Sequence, residues 1–216
     1  IEATQFTVDE LRAAVEEAMA RDTYVLAHAY HPRSIANCLD AGVRSIEHGN
    51  LLDEETAYRM AREGAFLVPT LIVYDVLSRH GAELGLSRYS MEKIERVKAT
   101  GEQAVRLAFE AGVRIGSGSD LLGHTMARRA EELVLKARVL GPMEAIVSAT
   151  KINAELFGLA DRIGTVAEGK DADLIVVDGD PLADISALAD ASRIPVVVKG
   201  GAVVKGEGLT TEQVRP

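Results

Sequence analysis

"RIGSGSD", residues 114–120, ends an apolar, β-leaning run with two glycines and an aspartate. It reads as a short strand, opened by Val113, with a carboxylate just past its end and little side-chain bulk around it. Two earlier stretches repeat the form with histidine in place of aspartate: "YVLAHAY" (24–30) and "RSIEHGN" (44–50). Short apolar runs of this kind suit strands buried on both faces of a parallel sheet. His28, His48 and Asp120 therefore end, or directly follow, three predicted strands.

Helical texture fills the intervals. "TVDELRAAVEEAMARD" opens with Thr7 and Glu10 at capping-box spacing, and Leu11, Val15 and Ala18 form an apolar stripe. "PRSIANCLDAG" (32–42) has proline near its start and glycine at its end. "LDEETAYRMAREG" (52–64) carries acids in its first turn and arginines later. "AFLVPTLIVY" (65–74) reads as β-rich, followed by a polar loop and a helix from about Ser90 to Gly112. "TMARRAEELVLKARVLG" and "PMEAIVSATKINAELFGL" are two further helices. Four strand–helix pairs after an opening helix imply right-handed βαβ units and an α/β fold with a parallel sheet. Around Ala160 the texture changes to short β-branched runs divided by glycine turns, as in a small antiparallel module. The expected domains are thus 1–159 and 160–216.

The 216 residues are 47% hydrophobic and 26% charged, as in an ordinary globular protein. A net charge of −9 argues against a nucleic-acid or anionic-membrane partner. No apolar segment reaches the roughly 18 residues that a membrane helix needs. The single cysteine, Cys38, excludes an internal disulfide and fits a reducing, cytoplasmic compartment. Ile1 replaces the usual methionine and no secretory n-region follows, so the chain is expected to be a portion of a longer one.

Sites on parallel α/β folds assemble at the carboxyl ends of strands, where a rigid sheet meets variable loops. Two imidazoles and a carboxylate form a ligand set for zinc or a similar divalent ion. The small residues around Asp120 would let metal and substrate approach the backbone. A lone strand-end histidine reads more often as a hydrogen-bonded structural residue than as a ligand; three such residues at the same place in successive βα units shift that balance. On pattern alone both a shared metal site and separate structural roles stay open.

"LAHAY", "SIEHGN" and "GSGSD", in that order and at these intervals, resemble strands five, six and eight of the amidohydrolase superfamily of metal-dependent hydrolases. "EAIVSATKINAELFGL" followed by "IGTVAEGKDADLIVVDGDPL" is similar to the helix and small β-sandwich that close such proteins. The resemblance covers essentially the whole chain and points to the prolidase-like and Xaa-Arg-type dipeptidases, near imidazolonepropionase-related proteins. It implies the C-terminal half of a (β/α)8 TIM barrel (strands 5–8) followed by part of a β-sandwich. It also implies His28 and His48 on the more exposed of two zinc-class ions, with Asp120 on the other. Asp120 would take a proton from the bridging water and pass it to the leaving amine of a small peptide or amide.

The family's HxH pair after strand one and its lysine after strand four have no counterpart here. None of the five histidines forms such a pair, and the first lysine is Lys93. The missing half would be needed to complete the barrel, and open sheet edges favour a homo-oligomer. Two alternatives keep the barrel: a deaminase or cyclic-amide hydrolase with one metal ion, and a non-catalytic relative serving as a scaffold. Tyr74 reads either as facing substrate at the pocket rim or as packing. His124 reads either as a contact to a substrate carboxylate or carbonyl, or as part of a helix start. His31, Arg128 and Arg129 are assigned to the surface, and His80 and Cys38 carry no role.

Overall fold

A computed structural model describes Ile1 and residues 3–206. It comprises two compact units, Ile1–Met126 and Ala127–Pro216. In the first unit, helix α1 (Val8–Met19) starts as the sequence requires. The Thr7 hydroxyl caps Glu10 N–H, and the Glu10 carboxylate accepts Thr7 N–H at 2.8 Å. Strand β1 (Leu26–Ala29), α2 (Pro32–Ala41), β2 (Ser45–His48) and α3 (Glu54–Glu63) follow. Then come β3 (Phe66–Val68), α4 (Leu71–His80), α5 (Arg88–Glu110) and β4 (Arg114–Ile115). Helices α2 and α3 end on Gly42 and Gly64, whose left-handed φ values of 84° and 72° are open to glycine at no steric cost.

The sheet runs β1-β2-β3-β4, every neighbour parallel. Its register sorts the side chains by period two. Ala27, Ile46, Leu67 and Ile115 form one row, and Ile46 and Leu67 within it are fully buried, each stabilising the fold by about 1.5–3 kcal/mol. The alternate rows carry Leu26, Ser45, Phe66 and Arg114, then His28, Glu47 and Val68. At the start of the strands the guanidinium groups of Arg44 and Arg114 lie 5.5 and 3.9 Å from the Phe66 ring centroid.

One stretch departs from expectation. "AFLVPTLIVY" is not a strand through to Tyr74: β3 stops at Val68 and Leu71 begins α4. Pro69 has no N–H to give the ladder, so pairing ends there. Leu71, Ile72, Val73 and Tyr74 are all buried in α4, and an apolar run buried all round does not reveal its period. Tyr74 consequently sits in the first turns of a helix.

The second unit opens with α6 (Glu131–Leu140) and α7 (Pro142–Val147), a π turn at Ser148–Ile152 and the short α8 (Asn153–Leu156). Inside it Lys136 is 0% exposed and Glu132 1%. Lys136 Nζ donates to Ser148 Oγ at 2.8 Å, and that hydroxyl donates to Ala145 O at 2.6 Å. Burial pulls the Lys136 ammonium down to about 8, against the opposing pull of the Glu132 carboxylate. Strands β5 (Leu174–Val176), β6 (Val196–Lys199) and β7 (Ala202–Lys205) form an antiparallel sheet in that order. Gly200 and Gly201, with φ of 55° and 80°, make the two-residue β6–β7 turn. The boundary expected at 159/160 separates helix-rich from β-rich sequence and lies inside this unit. Among the described residues no helix is long and apolar enough to cross a membrane.

Candidate metal centre

Parallel pairing of β1 with β2 sets Ala29 beside His48 and His28 beside Glu47. Across that seam His28 Nδ1 stands 2.7 Å from His48 Nε2, with ring centroids 4.8 Å apart. The other nitrogen of His48, Nδ1, lies 2.8 Å from Thr70 Oγ1, in the link between β3 and α4. Donation from Nδ1–H to Thr70 leaves Nε2 as a lone pair aimed at His28. His48 is 3% exposed, and burial, helped by neighbouring His28, holds its pKa down at about 4. His48 is therefore a neutral imidazole at neutral pH, the form that binds metals.

The backbone around His48 is unusual. His48 has φ of +76° and the following Gly49 +61°, where a Cβ would come within 2.5 Å of Leu67 Cδ1. Only glycine fits there. Asn50 then reaches out of the loop, its Nδ2 donating to Val97 O of α5 at 3.2 Å. Gly101 lets α5 come this close, since a Cβ would sit 2.9 Å from Leu71 Cδ2 and 3.0 Å from Asn50 Nδ2. The position of α5 is thereby coupled to the loop that carries His48.

Two aromatic side chains complete the wall. The Tyr30 ring stacks on His48 at 4.9 Å and 10°, and Tyr74 O–H donates to Tyr30 Oη at 2.9 Å. Desolvation raises the pKa of both phenols, so each stays protonated through the ordinary pH range. Glu47, which accepts from Ser45 Oγ at 2.5 Å, is also raised, first by burial. Asp120 contributes to the upward shift of Tyr30, Glu47 and Tyr74, so its charge acts on the same space. It is exposed, with φ of +52°. Gly118, just before it, lies so near β3 that a Cβ would be 2.8 Å from Val68 Cγ1.

The structure thus joins His28 to His48 and builds Tyr74 into the same ring cluster. Asp120 makes no hydrogen bond to either histidine. Among the described residues no group of three His, Cys, Asp or Glu stands close enough to hold a metal ion. His124 is exposed on the 3-10 turn Gly123–Arg128, without a hydrogen bond or ring contact among the described residues. His31 caps α2, accepting Arg33 N–H at 3.3 Å, and the Cys38 thiol is buried and pushed up to about 11. His28 Nδ1–H donates to the His48 Nε2 lone pair, and the two imidazoles, one anchored by Thr70, suit one side of a divalent-cation site once that shared proton is displaced. Sequence reading passed over Thr70, Tyr30, Glu47 and Asn50. Tyr30 and Asn50 lie within two residues of the histidines, which is their only sequence signal; Thr70 has none.

Parallel βα units in chain order, with imidazoles and an aspartate at the carboxyl ends of the strands, define a partial TIM-barrel region, here followed by a small antiparallel sheet. Residues 1–204 match the profile of the Amidohydrolase family, and the chain belongs to that family. It is similar to a prolidase solved in complex with N-methylphosphonate-L-proline, at 46% identity and a TM-score of 0.91, covering 94% of this chain and 50% of that one. It is similar also to a Xaa-Pro dipeptidase with methionine bound in its active site, at 32% identity and a TM-score of 0.83, covering 93% of this chain and 49% of that one. Ochratoxinase from Aspergillus niger is 31% identical over 207 residues, 95% of this chain and 43% of that protein. The chain spans about half the length of these relatives.

Proposed function

We propose that this chain carries part of the catalytic domain of a metal-dependent hydrolase of amide bonds, with dipeptides as substrates. The observation that supports this reading best is the facing pair of His28 Nδ1 and His48 Nε2 at 2.7 Å, with His48 anchored on Thr70. Amidohydrolases generally use divalent metals. In this reading His28, His48 and Asp120 are the ligands that this chain supplies, to two zinc-class ions.

A bound divalent cation supplies water that ionises near neutral pH and polarises the scissile carbonyl. The chain's own residues do the rest. Asp120 accepts the proton of the attacking water and returns it to the leaving nitrogen as the C–N bond breaks, so the carboxylate is regenerated each turnover. Because Tyr30 Oη accepts from Tyr74, its own proton is left to donate to a substrate oxygen. Tyr74 lines the cavity beside His28 and Tyr30 and faces the substrate there, and His124, exposed on the turn after Asp120, is assigned a contact to the substrate carboxylate or carbonyl.

Metal analysis of the full-length protein tests the reading. Two zinc-class ions per chain are expected in the wild type, with occupancy lowered in both His28→Ala and His48→Ala. One ion per chain would move the protein to the mononuclear deaminase or cyclic-amide class. No metal in the wild type, or unchanged occupancy in both variants, would end the ligand assignment. Thr70→Val should weaken metal binding about 10- to 100-fold in a chelator competition, because it removes the acceptor that orients His48. An unchanged affinity would reduce Thr70 to packing.

A further inference from the structure

Lys93 stands in the second turn of α5 and lines the same cavity of about 590 Å³ as His28, Tyr30 and Tyr74. The rest of the lining includes Phe6, Leu26, Ile94 and Val97, and no carboxylate is present among the described lining residues. In a chain of net charge −9, an ammonium group in a cavity whose described lining carries no carboxylate favours an anionic occupant. The Lys93 ammonium rests 4.2 Å from the centroid of the Tyr89 ring, one turn earlier on α5. A ring face offsets part of the cost of half-burying the charge but engages none of the three N–H donors in a conventional hydrogen bond. Among the described residues Lys93 has no ion pair and no hydrogen bond. Lys98, on the same helix, is paired with Asp75 at 3.2 Å. One turn beyond Lys93, Val97 O receives the Asn50 amide, so the helix bearing the ammonium is tied to the loop bearing His48.

We propose that Lys93 binds the free carboxylate of the substrate, so that the enzyme takes dipeptides and N-acyl amino acids in preference to their neutral amides. This rests on the amide-hydrolase reading for its substrate but not for its binding geometry. The test uses the full-length protein with N-acetyl-L-proline and N-acetyl-L-prolinamide as calorimetric probes, and a dipeptide with its C-terminal amide as kinetic substrates. Lys93→Met should weaken binding of the carboxylate probe about 10- to 100-fold, the scale of a hydrogen-bonded charge, and leave the amide probe unaffected. KM for the free dipeptide should rise by a similar factor with kcat within about threefold, and Lys93→Arg should restore most of both. Equal losses on the two probes, an unchanged carboxylate affinity, or a wild type that does not bind N-acetyl-L-proline would each overturn the assignment. A wild type that binds the carboxylate probe through Lys93 yet cleaves neither substrate would keep the assignment and sink the hydrolase reading.

Discussion

Asp120→Asn in the full-length enzyme should lower kcat by about 10³-fold or more, toward the upper end of what a positioned proton-transfer group contributes. The substitution is close to shape-neutral. Asparagine tolerates the left-handed backbone that Asp120 adopts at φ +52°, and the side chain is exposed, so neither strain nor a cavity follows. Chemistry alone is lost: an amide cannot take a proton from water, and it is a weaker metal ligand than a carboxylate. The far-UV circular dichroism and Tm should stay at wild-type values. A second readout is independent of turnover. Removing the negative charge relieves one upward push on the Glu47 carboxyl, which should titrate at lower pH in the variant. Near-normal turnover would remove Asp120 from the mechanism, and an unshifted Glu47 would place it outside the cluster.

The second large effect is on stability. Lys136→Met should destabilise the protein by about 3–5 kcal/mol, because it strips the buried Glu132 carboxylate of the neighbouring cation and Ser148 of its donor. The double variant Lys136→Met with Glu132→Leu should recover most of that loss, since an apolar pair of similar volume carries no desolvation cost. The pH dependence has a definite sign. The folded pKa of Lys136 is lowered to about 8 from 10.5, so the unfolded chain holds the extra proton between those values. Stability contributed at this site is therefore lowest below about pH 8 and rises as pH climbs towards 10.5. Cys38, raised from 9.0 to about 11, works in the opposite direction, because there the folded state holds the proton longer. The measurement is thus the urea-midpoint difference between wild type and Lys136→Met, which should widen from pH 8 to pH 10. A constant difference, or a double variant as unstable as the single, would refute the buried-charge account.

Legibility followed the range of the interactions. The capping box at Thr7 and Glu10, the proline opening α2 and the glycines closing α2 and α3 act within one helical turn, and each was readable. So was the placement of His28 and His48 at strand ends, because parallel strands need helical crossovers between them. The run from Ala65 to Tyr74 was misread because burial on every side erases the alternation that tells a strand from a helix. Thr70 was invisible for a different reason. It meets His48 from 22 residues away, through a turn whose direction depends on Pro69 and on the packing of α4. The stacking of Tyr30 on His48 and the bond from Asn50 to α5 are likewise products of three-dimensional approach.

The left-handed backbone at His48 and Asp120 has a consequence for anyone redesigning this protein. Most L side chains cost about 1–3 kcal/mol in that basin, while asparagine, aspartate, histidine and glycine enter it with little penalty. The accessible chemical repertoire at these two positions is thus narrow and rich in oxygen and imidazole donors. In the proposed metal role, trading imidazole for carboxylate to favour harder ions follows the grain of the chain. Introducing thiolate ligands would have to overcome the backbone first, and the route to a softer metal would run through glycine neighbours such as Gly49 and Gly118, which have no room to give.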